Sequence, residues 1–298
     1  MSSAPLPGPP AGMRSGDATH PELPHDVVVV IGPTTRRLTA PNPGPMTGPG
    51  TNTYLVGDER SVVVIDPGPD DAGHVAAIVA AVGPARATIA LTHTHPDHWP
   101  AAVALAEILD APVAAYGPGD ADGLVLDTLL RDGDRVGQLV AVHTPGHASN
   151  HLCFELTGPG GRWLFTGDHV MGGSTVVISP PDGDMTTYVA SLRLVLALGV
   201  DVIAPGHGEV VEDPDELVTA LIAHRQARES QLLDLVRRHG PISVTDLTAL
   251  AYPDVIEALR LRARASAWAH LRALHADGFV GSTAFDDPDG VWSVSVCG

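Results

Sequence analysis

Thr92-His93-Thr94-His95-Pro96-Asp97-His98 decides the reading of this 298-residue chain. Three imidazoles and a carboxylate fall within six residues. They sit between an apolar run, Ile89-Ala90-Leu91, that reads as a strand end, and an Ala/Leu segment from Pro100 that reads as a helix. In an extended segment residues i and i+2 project to the same side, so His93 and His95 can share one ion. Asp97 and His98 follow the turn and can face a neighbouring ion. Imidazole and carboxylate ligands suit zinc, and also iron or manganese.

Four more segments place a ligand-type side chain at the end of a predicted strand. Asp66 ends Val62–Ile65, His147 lies in His143-Thr144-Pro145-Gly146-His147, Asp168 closes Thr166-Gly167-Asp168, and His207 lies in Ala204-Pro205-Gly206-His207-Gly208. Glycine near a ligand lets the backbone approach closely. The remaining histidines have blander readings. His143 and His151 flank His147 without being expected ligands, and His169 alternates to the opposite face if its strand continues. His20, His25 and His74 read as surface residues. His224, His239, His270 and His275 lie on or near C-terminal helices in solvated or packing roles, and Cys153 reads as a buried strand residue.

Further strands are expected at Val27–Ile31, Thr53–Val56, Ser61–Asp66, Ala87–Thr92, Val113–Tyr116, Gln138–Thr144, His151–Leu156, Trp163–Thr166 and Val202–Ala204. Helices are expected at Val75–Val82, Pro100–Leu109 and Met185–Leu198. Two rounds of strands followed by helices imply an α/β fold of two sheet layers flanked by helices. Residues 1–24, rich in proline, read as a disordered tail, and 25–218 as the catalytic domain. Within 219–298 the pattern is three helices and a hairpin: a helix over Leu217–Arg238, one capped by Ser243, one over Val255–Asp277, then Val280–Thr283 against Val291–Val296. That is the outline of a small winged-helix-like domain.

Composition narrows the function classes. Hydrophobic residues make up 44% of the chain, which supplies a sizeable core, and no apolar run approaches the length of a membrane span. Two cysteines, Cys153 and Cys297, exclude a disulfide framework. With no readable signal peptide, a cytoplasmic location is the expectation. All 17 basic residues are arginine, and the formal net charge is −18. Residues 1–220 carry −17 of it and 221–298 only −1. An anionic body repels phosphate backbones at long range. Arg260, Arg262, Arg264 and Arg272 give the third C-terminal helix a candidate basic face, which pairing with Glu257 and other acids would cancel.

The ordered array of Asp66, His93-x-His95-x-Asp97-His98, His147, Asp168 and His207 resembles the metallo-β-lactamase superfamily across nearly all of residues 27–215. Asn42-Pro43, Gly50-Thr51-Asn52-Thr53-Tyr54-Leu55-Val56-Gly57, Met185–Leu192, and His224-Arg225 with Arg228-Glu229 are similar to its beta-lactamase-like protein 2 (LACTB2-like) branch. The resemblance implies an αββα metallo-β-lactamase sandwich followed by a winged-helix-like domain. It implies His93, His95 and His147 on a first metal, Asp97, His98 and His207 on a second, Asp168 bridging both, and Asp66 orienting ligands. Trp99-Pro100-Ala101 stands where relatives often have two small residues, so the indole is expected near the pocket mouth.

The expected function is therefore a hydrolase with two divalent metal ions, zinc first, with manganese or iron as alternatives. A metal-bridging hydroxide would be the nucleophile, with Asp97 and Asp168 as the catalytic carboxylates. A small ester, thioester or lactone is the favoured substrate, with Val176–Ile178 taken as an apolar lining. The alternative within the branch is a metal-dependent endoribonuclease acting on single-stranded RNA. No membrane partner is expected, and residues 221–298 are expected to form a wall and a homodimer contact.

Overall fold

The structure, a computed structural model, describes residues 23–117 and 121–295. The expected tail lies outside the described residues except for Leu23 and Pro24, and Leu23 is buried. Strands β1 (Val29–Gly32), β2 (Thr35–Thr39), β3 (Asn52–Gly57) and β4 (Ser61–Ile65) form an antiparallel meander. The chain then crosses over through helix α1 (Ala72–Val82) to add β5 (Arg86–Ala90) parallel to β4. Helix α2 (Ala101–Leu109) leads to β6 (Val113–Ala115), and β7 (Thr128–Leu129) completes a seven-stranded sheet ordered β1 to β7.

The second sheet is built the same way. Strands β8 (Arg135–Val136), β9 (Leu139–His143), β10 (Leu152–Gly158) and β11 (Gly161–Gly167) are antiparallel. Helix α3 (Met185–Leu198) then returns β12 (Val202–Pro205) parallel to β11. Parallel neighbours need such a crossover, and it leaves the C-terminal ends of β4, β5, β11 and β12 free to carry loops.

Side-chain alternation divides the core into three layers. In β4, Val62 and Val64 face α1 and α2 together with Val75, Ile78, Ile89 and Leu105. Val63 and Ile65 point the other way, into the layer between the sheets with Tyr54, Leu152, Phe154 and Phe165. On the outer face of the second sheet, Cys153 and Leu164 meet Tyr188, Leu192 and Val195 of α3. Each fully buried large side chain contributes about 1.5–3 kcal/mol relative to exposure. The result is a helix–sheet–sheet–helix sandwich.

Helix α4 (Pro214–His239) is 26 residues long and is capped by Asp213, whose side chain accepts from Glu216 N. Its first half, through Val218 and Leu221, packs in the α3 layer, while Leu232, Leu235 and Val236 join a separate C-terminal cluster. That cluster unites α5 (Val244–Ala251), α6 (Arg260–Ala276) and a three-stranded sheet ordered β13 (Ile242–Ser243), β15 (Val291–Val294), β14 (Val280–Ser282) around the buried Trp292. Ser243 caps α5, accepting from Asp246 N. The third helix is preceded by a 3₁₀ turn at Glu257–Leu259. Residue 218, the expected end of the catalytic domain, falls inside α4.

Several expectations need correction. Strand β2 was not foreseen, because Arg36 and Arg37 break the apolar pattern; Arg37 is nevertheless buried, its charge met by Glu209 at 2.9 Å. His74 is fully buried rather than a surface residue, held between Thr53 Oγ1 at 3.0 Å and Asp26 Oδ1 at 2.7 Å. Of the four arginines of the candidate basic face, Arg260 pairs with Glu257 at 2.7 Å, Arg272 with Asp286 at 2.9 Å, and Arg264 with Asp289.

Candidate metal centre

Strand ends deliver the polar residues to one place. β4 stops at Ile65, and Asp66 turns the chain with φ of +47°, a conformation that Asp tolerates better than most side chains. β5 stops at Ala90, and the His93–His98 loop follows. β9 leads to His147, β11 to Asp168, and β12 to His207. Gly206 is dictated by this crowding: a Cβ there would stand 2.8 Å from the His98 ring and 2.9 Å from Asp168 Oδ1.

Three groups of ligand-type atoms result; one joins Asp66 to His93 and His98, and the other two use the seven expected ligands. His93, His95 and His147 form the first, with His93 Nε2 3.0 Å and His147 Nε2 2.8 Å from His95 Nδ1. Asp97, His98, Asp168 and His207 form the second. There His207 Nε2 lies 3.1 Å from Asp97 Oδ2 and 3.2 Å from Asp168 Oδ1, and His98 Nε2 lies 3.3 Å from Asp168 Oδ1. The other Asp168 oxygen, Oδ2, is 3.6 Å from His147 Nε2. One carboxylate therefore faces both groups.

The opposite edge of each ring explains its orientation. His98 Nδ1 donates to Asp66 Oδ2 at 2.9 Å, His147 Nδ1 to the Val177 carbonyl at 2.8 Å, and His207 Nδ1 to the Gly50 carbonyl at 3.2 Å. Those bonds leave Nε2 as the free nitrogen of each ring. Asp66 also accepts from Thr92 N at 2.7 Å and Thr92 Oγ1 at 2.6 Å, and Thr92 Oγ1 in turn accepts from His93 Nδ1 at 3.0 Å.

Charge differs between the groups. Burial holds His93 well below the ordinary imidazole value, reinforced by His98 and His95. Burial, with the field of His147, brings His95 to about 4, and burial also lowers His147. In the second group burial opposes protonation, but Asp97, Asp168 and Asp66 outweigh it and raise His98 well above its usual range. Against the same burial, Asp168 raises His207 to about 9. Burial resists ionisation of the two acids as well, yet His98 and His207 bring Asp97 to about 2 and hold Asp168 well below its ordinary value. The acids demand positive charge at this point, and either protons or a cation can supply it.

The donor set fits metal ions on a direct observation. His98 Nε2, His207 Nε2 and Asp168 Oδ1 are buried, converge on one another, and have no hydrogen-bond partner. Buried polar atoms are rarely left so. All seven expected ligands, and Asp66 behind them, are thus brought together. His143 is not among them: it stacks on Tyr116 at 4.1 Å and bonds the Ser149 carbonyl at 3.0 Å. His151, expected to behave like His143, is instead fully buried, its ring 5.1 Å from that of His93 and its Nδ1 2.9 Å from Thr144 Oγ1.

Sequence reasoning missed the supports. Asn52 Nδ2 donates to the Pro205 and Gly208 carbonyls at 3.0 and 2.8 Å, and the Tyr54 hydroxyl to Pro205 at 2.7 Å, fixing the His207 loop. Polar residues inside a buried strand were the available signal. The Val177 carbonyl left none, since a backbone acceptor is invisible to composition. Of the segment Val176–Ile178, Val176 and Ile178 are buried in the α3 layer, and Val177 is half-buried beside His147.

Comparison with known proteins agrees with this architecture. Residues 46–207 match the metallo-beta-lactamase superfamily. The chain belongs to that superfamily and is a hydrolase of its fold, with a His/Asp cluster able to hold metal ions. It is similar to a beta-lactamase-like protein 2 homolog of Caenorhabditis elegans, 31% identical over 84% of this chain and 87% of that protein. It is also similar to an atrochrysone carboxyl ACP thioesterase of Aspergillus fumigatus, 34% identical over 72% of this chain and 67% of that one. Among solved structures, a beta-lactamase domain protein from Burkholderia ambifaria shares the fold with a TM-score of 0.77, at 20% identity over 93% of this chain and 97% of that one. A metallo-beta-lactamase family protein from Thermus thermophilus does so with a TM-score of 0.72, at 24% identity over 88% and 99%. Among the described residues no helix is long and apolar enough to cross a membrane.

Proposed function

We propose that this chain is a dinuclear metal hydrolase, using zinc, that cleaves a small thioester or ester. The observation that carries the reading is Asp168, whose two oxygens face the two ligand groups separately. His93, His95 and His147 would hold one ion, and Asp97, His98 and His207 the other. Such a pair supplies Lewis acidity, polarising the scissile oxygen and acidifying water.

The chain's own residues do the rest. Asp66 and Thr92 fix His98 and His93, and the Val177 and Gly50 carbonyls fix His147 and His207. Asp97 is 28% exposed at its side chain against 8% for Asp168. Asp97 is therefore the carboxylate placed to accept a proton from the attacking water and pass it to the leaving group. Asp168, enclosed, is the one placed to hold the two groups together. The thioesterase name carried by one relative supports the choice of a thioester, and the anionic body disfavours a polyanionic RNA substrate. We read 219–298 as a winged-helix-like wall and dimer contact, its helix arginines largely neutralised by acids.

The test is metal analysis of protein purified without chelator, followed by assays on acyl-thioesters, p-nitrophenyl esters, lactones and single-stranded RNA, each with and without chelator. Two ions per chain and chelator-sensitive thioester cleavage are expected. One ion or none after reconstitution refutes the dinuclear reading, and RNA cleavage alone refutes the substrate class.

A further inference from the structure

Behind the metal centre, α4 and α6 enclose a second cluster with no role in the scheme above. It consists of His224, Arg225 and Arg228 on α4 and His270 on α6. Arg225 is 5% exposed and His270 is fully buried, while His224 and Arg228 are half-buried. Arg225 donates through one terminal nitrogen to the Val176 carbonyl at 2.5 Å and lies over the Tyr188 ring. Arg228 reaches the Ala251 carbonyl at 2.8 Å and Gln231 Oε1 at 2.6 Å, and covers the Tyr252 ring.

Five further nitrogens of these four residues are buried without any partner: Arg225 Nε, Arg228 Nε, His224 Nδ1, and both ring nitrogens of His270. Buried guanidinium groups are normally met by carboxylates. Among the described residues, neither arginine forms an ion pair, in a protein whose formal charge is −18. Glu229, next to Arg228 in sequence, feels Asp277 as its charged neighbour and neither arginine. The two arginines also reach the imidazoles electrostatically: burial, then Arg225 and Arg228, lowers His224 to about 4 and His270 well below its ordinary value.

We propose that His224, Arg225, Arg228 and His270 form an oxyanion site that takes a phosphate group. The supply of directional donors from four side chains on two helices suits a tetrahedral oxyanion, and two fixed positive charges supply the attraction. The phosphate has two chemical sources: free inorganic phosphate, or a phosphate on the carrier arm of the substrate, as in a pantetheine-linked thioester. The second source rests on the thioesterase reading; the first does not.

The test uses the full-length, metal-loaded protein. Its thermal midpoint is measured with inorganic phosphate and with chloride at matched ionic strength, for wild type, Arg228→Gln, Arg228→Lys and His224→Gln. Phosphate should raise the wild-type midpoint by about 2 °C or more. The response should vanish in Arg228→Gln, weaken in His224→Gln, and return in part in Arg228→Lys. No phosphate-specific rise, or a rise undiminished in Arg228→Gln, overturns the proposal, the latter because it places the anion at the metals. Kinetics then separate the sources. A KM increase of about tenfold in Arg228→Gln for a phosphopantetheine thioester, with an N-acetylcysteamine thioester unchanged, assigns the phosphate to the substrate. Unchanged KM values with phosphate stabilisation lost assign the site to free phosphate. Absence of thioester cleavage by wild type would sink the proposed activity while leaving the binding result to decide the site.

Discussion

Asp66→Asn should weaken one metal site selectively. Asp66 is engaged by hydrogen bonds: its carboxylate receives Thr92 N, Thr92 Oγ1 and His98 Nδ1 at 2.7, 2.6 and 2.9 Å. Asn keeps the size and tolerates the positive φ at this position, so the backbone turn survives. The amide oxygen can still accept from Thr92 N. Its NH2 then confronts His98 Nδ1, and two donors cannot share a bond. The ring answers by placing its proton on Nε2, the atom that faces Asp97 and Asp168. A charge-assisted bond of this kind contributes about 1.5–3 kcal/mol. Loss of such a support costs roughly 10–100-fold in metal affinity. Competition titration with a chromophoric chelator should therefore show one of two ions bound about 10–100-fold more weakly, the other within about threefold of wild type, and an unchanged circular dichroism spectrum. Unchanged affinity at both sites would refute the orienting role; equal loss at both would mean that Asp66 acts on the whole centre.

Other expectations are as direct. Asp168→Ala should lower activity at least tenfold more than His143→Ala, because Asp168 faces both ligand groups and His143 stacks on Tyr116 outside them; equal losses in steady-state assays would refute the assignment. His151→Ala should cost on the order of 1–3 kcal/mol of stability in denaturant titration through its buried place beside His93, whereas His143→Ala should cost little. In chelator-treated protein, His207 is raised from 6.5 to about 9, so its stabilisation is full below about pH 6.5 and lost as pH climbs through 9. Asp97 is lowered from 3.8 to about 2, so its share is present above about pH 3.8 and lost as pH falls through 2. Unfolding midpoints should decline between pH 6.5 and 9, and a flat or rising profile there would contradict the pairing.

Legibility followed the physics of each residue. The convergence of the seven side chains was readable because metal chemistry restricts the donor types and a strand end restricts their spacing, as in His93-x-His95. The sandwich was readable because β4 is apolar on both faces and α3 keeps Tyr188, Leu192 and Val195 at helical spacing. β2 was hidden because Arg37 is neutralised by Glu209, 172 residues away. His74 was misplaced for the same reason, since its partner Asp26 is 48 residues off. Local pattern cannot report a charge whose counterpart is brought in by the fold. His151 could not be told from His143 because both flank His147, and only tertiary packing separates them.

The continuity of α4 bears on how such a chain could be rebuilt. A rod of about 39 Å runs unbroken from Asp213, beside the second sheet, into the last cluster of the molecule. Cutting at residue 218 would sever that rod in its first half and strip Val218 and Leu221 from their packing. A transplant between relatives would join more safely at Gly240, where the helix ends, so that the whole rod stays with the half that carries the His/Asp cluster. Recombination among members of this superfamily should then carry α4 as an inherited part of the catalytic half, with the exchangeable cassette beginning only after it.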